Sequence, residues 1–165
     1  MNHFFHDCFG REFAIAQVVE EIIGFLKAEP GRHYKIIIGS DSERLASKEA
    51  DFVTAIVVYR VGAGGRYFWR RLKAGKFFNI RDRIIKEVFL SLDAAKELLT
   101  ILQKEKIEAE WSFEIHADVG ENGPSKVLIQ EVVNIIRANN FEAKTKPESY
   151  AASNVADRHV IPYAD

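Results

Sequence analysis

Residues Tyr34 to Glu43 read YKIIIGSDSE, and the fold turns on this stretch. An unbroken apolar, β-branched run climbs to Ile38, the pattern of a strand buried on both faces. Gly39-Ser40 interrupts it, and it ends on an acid, Asp41, set between two serines. A core strand that delivers a carboxylate needs a reason, and the reason is sought in what the rest of the chain brings to the same place.

Upstream, Ile15, Val18, Val19, Ile22 and Leu26 form one apolar stripe, which predicts a helix from about Arg11 to Ala28, stopped by Pro30-Gly31. Downstream, SERLASKEAD reads as a polar connection. FVTAIVVYRV, Phe52 to Val61, predicts a second strand, and Gly62-Ala63-Gly64-Gly65 a turn. RYFWRRLKA then predicts a third strand, which completes an antiparallel meander. A long helix follows, roughly Ile80 to Lys104, with Ile84, Val88, Leu92, Ala95, Leu99 and Leu102 on its buried stripe. WSFEIHAD, Trp111 to Asp118, alternates as a strand, and GENGPS is a loop. Lys126 to Asn139 is expected to be helical, FEAKTK a short strand, and Ser149 to His159 a last short helix. The order α, βββ, α, β, α, β, α implies an α/β fold, a mixed sheet with helices packed against it. Residues 1–165 are expected to form one domain, with 1–31 as an N-terminal helical extension.

The chain has 165 residues, 47% apolar or aromatic and 28% charged, an ordinary globular composition. A net charge of −1 excludes a globally basic nucleic-acid binder and leaves local patches open. A single cysteine, Cys8, allows no internal disulfide and fits a reducing cytoplasm. MNHFFHDCFG lacks the basic head and apolar core of a signal peptide, and no apolar run nears the ~20 residues of a membrane span. The expected location is therefore cytoplasmic, without membrane contact.

Four acids stand out by position. Asp41 ends the first strand, and Asp118 closes FEIHAD on the same face as Glu114 and His116. Glu87 lies in the first turns of the long helix beside Ile84 and Ser91. Asp157 falls in a polar stripe of the last helix with Tyr150, Ser153 and Asn154. Taken singly, a strand-end Asp is ordinarily a turn or cap residue and a helix acid ordinarily solvated. Gathered at one sheet edge, three or four carboxylates cannot all stay ionised without a cation. All-oxygen ligands suit Mg²⁺ or Mn²⁺, and two such ions ~4 Å apart activate a water and stabilise the leaving oxygen of a phosphodiester.

The three antiparallel strands followed by helix–strand–helix–strand–helix resemble the ribonuclease H-like superfamily, in a three-layer α/β/α arrangement with the N-terminal helix added. IGSDS, GGRYFWRR, RDRIIKEVFLSL, EIHADVGENG and YAASNVADRH look more narrowly like the YkuK-like branch of bacterial proteins, over most of the chain after Gly31. The superfamily carries acids on its first strand, first helix, fourth strand and last helix, and Asp41, Glu87, Asp118 and Asp157 fall on those elements in that order. The resemblance implies a metal-dependent nuclease for RNA or DNA, with these four residues as metal ligands and water as nucleophile. His159 reaches such a site as a proton shuttle only if the last helix ends there. Two features depart from the family: the connection after Asp41 reads longer than a tight hairpin, and no basic substrate-handling insertion is present.

Between Arg60 and Lys86 stand nine Lys or Arg against one acid, Asp82, interleaved with Tyr67, Phe68, Trp69, Phe77 and Phe78. Such a run can neutralise phosphates and stack on bases, with Arg66, Arg70, Arg71 and Lys73 as the leading candidates. The competing expectation is that half of this strand faces inward. Asn122 and Ser125, on the loop after Asp118, are further phosphate candidates beside a helix start. Nucleic acid is the expected partner, with a second copy of the chain as the other candidate for the basic strand. Two other functions fit the same residues: a non-catalytic nucleic-acid-binding module and a protein-interaction module.

Overall fold

The computed structural model describes residues 4–149. In chain order these form β1 (Phe5–His6), β2 (Glu12–Phe13), α1 (Ile15–Ala28), β3 (His33–Arg44), β4 (Glu49–Arg60) and β5 (Gly65–Lys76). There follow α2 (Ile80–Leu102), β6 (Glu110–Ala117), a 3-10 turn at Lys126–Leu128, α3 (Ile129–Ala138) and β7 (Glu142–Lys144). One seven-stranded mixed sheet runs β2-β1-β5-β4-β3-β6-β7. The β3–β4–β5 meander is antiparallel, while β6 joins β3, and β7 joins β6, in parallel. Parallel pairing needs a crossover, and α2 and α3 supply it.

Alternation sorts the sheet into two unlike faces. Ile36, Ile38, Ile56, Val58, Phe68 and Ile115 point to one side, into a core shared with Val18 and Ile22 of α1, Val88 and Leu92 of α2, and Val132 and Ile136 of α3. All the helices of the described residues thus cover one face. On the other face Ile37, Ala55 and Val57 form a smaller buried group with Tyr59 and Tyr67. Apart from Ser149, the last helix expected over Ser149–His159 lies outside the described residues, and so do Asp157 and His159.

Three expectations are corrected. Asp41 is not at a strand end, because β3 continues to Arg44 and β4 begins at Glu49, which leaves a tight hairpin at residues 45–48. The polar residues read as a connection are paired in register, with Ser42 opposite Phe52 and Glu43 opposite Asp51. They extend the strands because their backbone groups meet partners and their side chains find bonds, whatever their composition suggests. The N-terminal stretch is not only helical. Its two-residue strands β1 and β2 cover the edge of β5, with His6 opposite Trp69, and are too short to show any periodicity.

The β1–β2 turn is tied by Asp7, whose carboxylate accepts the N–H groups of Phe9 and Arg11 at 2.9 Å and the Arg11 Nε–H at 2.6 Å. Burial works to raise the Asp7 pKa, but the bonds from Arg11 and Phe9 outweigh it and hold the carboxyl below its usual value.

Candidate active site

Beyond Ile38 the central strand changes character. Ser40 and Ser42 face the helices, and Asp41 faces the opposite side. Ser40 Oγ lies 2.9 Å from Thr54 Oγ1 on β4 and 2.8 Å from Ser91 Oγ on α2, so three buried hydroxyls satisfy one another. One helical turn before Ser91, Glu87 is only 6% exposed and accepts a short hydrogen bond from Ser42 Oγ. This helix acid, one of the expected metal ligands, is built into the sheet–helix junction.

The parallel register of β3 and β6 ends at Ser40 opposite Ala117. Asp41 and Asp118 therefore directly follow the last paired residues of two adjacent parallel strands, Asp41 still within β3 and Asp118 just beyond the end of β6. Glu87, Ser91, Ser40 and Asp118 line a cavity of about 10 Å³, room for about one water. Asp41 Oδ1 accepts the N–H of Ser42 at 2.8 Å.

Asp118 carries a cation already. Lys146 Nζ sits 2.7 Å from its Oδ1, and the Lys146 backbone N–H bonds to the Val119 carbonyl at 2.8 Å. The segments approach so closely that a Cβ at Gly120 would lie 2.9 Å from the Lys146 Cβ, a contact that glycine alone avoids. Lys146 carries no sequence signal for this role, because only the return of the chain along β7 brings it to Asp118. The hydroxyl chain was nearer to legible: serines two apart on a strand, and Ser91 one turn from Glu87, share the helix-facing stripe. His116 lies 2.9 Å through Nε2 from Glu114 Oε2, both residues buried.

The donor set of two aspartates, one glutamate and serine hydroxyls is all oxygen, which fits a hard divalent cation. Among the described residues, no three His, Cys, Asp or Glu side chains converge closely enough to hold a metal ion. The expected fourth ligand, Asp157, is outside those residues.

The basic run divides. Arg71 makes a two-pronged ion pair with Asp51, which is wholly buried, on the face opposite the helices. Arg70 points to the helix side over the Phe5 ring, 4.6 Å from its centroid, and burial lowers its pKa against the opposing charges of Glu97 and Asp93. Arg66 pairs with Glu21 at 3.2 Å and stacks on Phe25, and Arg60 lies 4.0 Å from the same ring. Of the expected phosphate-binding candidates, Arg66, Arg70 and Arg71 do not share one face of β5, and each guanidinium has a partner within the fold. Lys73 is exposed. Asn122 is exposed on the loop that leaves β6, and Ser125 Oγ accepts the Gly120 N–H at 3.4 Å.

The Ribonuclease H-like family model matches residues 17–160, and the chain belongs to that family. It is similar to "Uncharacterized protein YkuK" of Bacillus subtilis (strain 168), with 29% identity over 167 residues, covering 93% of this chain and 95% of that protein. No solved structure matches. The family and the mixed α/β sheet agree with the resemblance read from the motifs. No helix among the described residues is long and apolar enough to cross a membrane.

Proposed function

We propose that this chain is a divalent-metal-dependent nuclease that hydrolyses phosphodiester bonds of RNA or DNA in the cytoplasm. The observation that carries this reading is that Asp41 and Asp118 directly follow Ser40 and Ala117, the last paired residues of two adjacent parallel strands, while Glu87 is buried against Ser42 on the helix-facing side of β3, the side away from Asp41. Asp41, Asp118 and Glu87, with Asp157, would hold Mg²⁺ or Mn²⁺. When bound, such ions supply an activated water and stabilise charge on the leaving oxygen. The chain's own part is to fix the carboxylates. The hydroxyl chain from Thr54 through Ser40 to Ser91 locks α2 to the sheet, Ser42 orients Glu87, and Lys146 holds the Asp118 carboxylate that would be one of the ligands.

The Lys146–Asp118 ion pair also supports a second reading, a nucleic-acid-binding module in which a lysine permanently stands in for the metal charge. One assay separates the two. Purified protein and its Asp41→Asn variant are incubated with labelled RNA, DNA and RNA–DNA hybrid in Mg²⁺, Mn²⁺ or EDTA. The nuclease reading expects cleavage that EDTA abolishes and that the variant loses by more than about 100-fold, the upper end for disrupting even outer-shell groups. Binding without cleavage in every metal assigns the chain to the second class.

A further inference from the structure

Several cations without an ion-pair partner among the described residues lie at the hairpin end of the molecule, near an exposed aromatic ring. Phe77 packs edge-on against the buried Phe52, ring centroids 5.3 Å apart, and its N–H bonds to the Lys48 carbonyl at 2.9 Å. Asn79 caps α2 by accepting the Asp82 N–H at 2.8 Å. Phe78 stands between these two anchors and is 66% exposed. An apolar ring of this size, held out into water by fixed neighbours, is poor packing and a good stacking platform. Across from it, at the tip of the β3–β4 hairpin, the Lys48 ammonium lies 5.4 Å from the Phe78 ring centroid. Lys48 takes a left-handed backbone, φ 69°, a conformation uncommon for any residue with a side chain.

The surroundings are basic. Arg44, Lys48, Lys73, Lys76, Arg83 and Lys86 have no ion-pair partner among the described residues, and the Arg83 Nε is buried without an acceptor. This end lies directly beyond the acids. Ser42 meets Glu87 across the sheet–helix junction, so Arg44, two residues on along β3, and Arg83, one helical turn back along α2, continue toward the hairpin tip.

We propose that Phe78 and Lys48 form a binding site for unpaired nucleotides, Phe78 stacking on a base and Lys48 meeting the adjoining phosphate, so that single-stranded nucleic acid is led from the hairpin tip to the acids. The proposal deepens the nucleic-acid reading above and rests on it. A ring stacks on a base only where that base is exposed, so the site selects a single strand over a blunt duplex, whose bases are stacked on each other.

The test is fluorescence anisotropy in EDTA at low salt, with the full chain and a labelled 20-nucleotide single strand or the corresponding blunt duplex. The single strand is expected to bind more tightly. Phe78→Ala should weaken it about tenfold while leaving the weaker duplex binding in place, and Phe78→Tyr, which keeps a ring, should restore it. Equal binding of both forms, or single-strand affinity unchanged in Phe78→Ala, overturns the site. Because the measurement needs no cleavage, it stands apart from the nuclease reading. Cleavage with a silent Phe78→Ala removes this site alone, and ring-dependent binding without cleavage removes the nuclease alone.

Discussion

Arg71 and Lys73 stand two residues apart on the same face of β5, yet Arg71 is locked to a fully buried Asp51, and Lys73 lies exposed without an ion-pair partner among the described residues. The contrast extends along the strand. Toward Gly65, Arg66 and Arg70 are held by Glu21, Phe25 and Phe5 under the N-terminal hairpin and α1. Toward Lys76 the strand's cations, Lys73 and Lys76, are exposed. One basic run thus serves as scaffold at one end and as an available charged surface at the other. Depth in the fold decides which.

The largest effect should come from breaking the scaffold end. Arg71→Met leaves Asp51 buried and uncompensated, and urea unfolding is expected to show a loss of about 3–5 kcal/mol. Adding Asp51→Leu should recover much of that loss, since replacing both members of a buried pair is often neutral. A single variant as stable as the parent would erase the distinction between the two ends.

The exposed end should respond the other way. Lys73→Ala with Lys76→Ala is expected to move stability by no more than about 0.5 kcal/mol. The same pair should flatten the salt dependence of single-strand binding by about 0.7 in log–log slope for each phosphate left without its lysine. A large stability loss with an unchanged slope would make these lysines scaffold too.

The smallest effect belongs to the hairpin that covers the scaffold end. Asp7 has a folded pKa below its ordinary 3.8, so the stability it contributes is present above that value and is lost as pH falls through the folded value. Asp7→Asn should therefore lower the melting temperature at pH 7 and converge with the parent in strong acid. Parallel curves across the whole range would mean that the turn does not depend on the charge.

The elements with long apolar periods were legible. The buried stripe of α2 follows its apolar period almost residue for residue, with Leu98 fully buried beside the half-buried Leu99 that the period favoured. The meander and the parallel return of β6 followed from strand order and the need for a crossover. The far half of the β3–β4 hairpin was not legible. Its residues are polar, and polar residues extend a strand only when neighbours such as Glu87 and Arg71 receive them. Of the candidate site, Asp41, Glu87 and Asp118 could be named from the elements they occupy. The burial of Glu87, the Lys146 ion pair and the division of the arginines could not.

What the sequence by itself determined is the set of elements, their order and the acids they carry, because hydrophobic period and chain connectivity are local properties that survive without knowledge of neighbours. What only the tertiary structure decided is which charges are structural and which are free to meet a ligand. A guanidinium two residues from a lysine has the same local chemistry, and the cost of burying its charge is set by whether the fold brings a carboxylate to it.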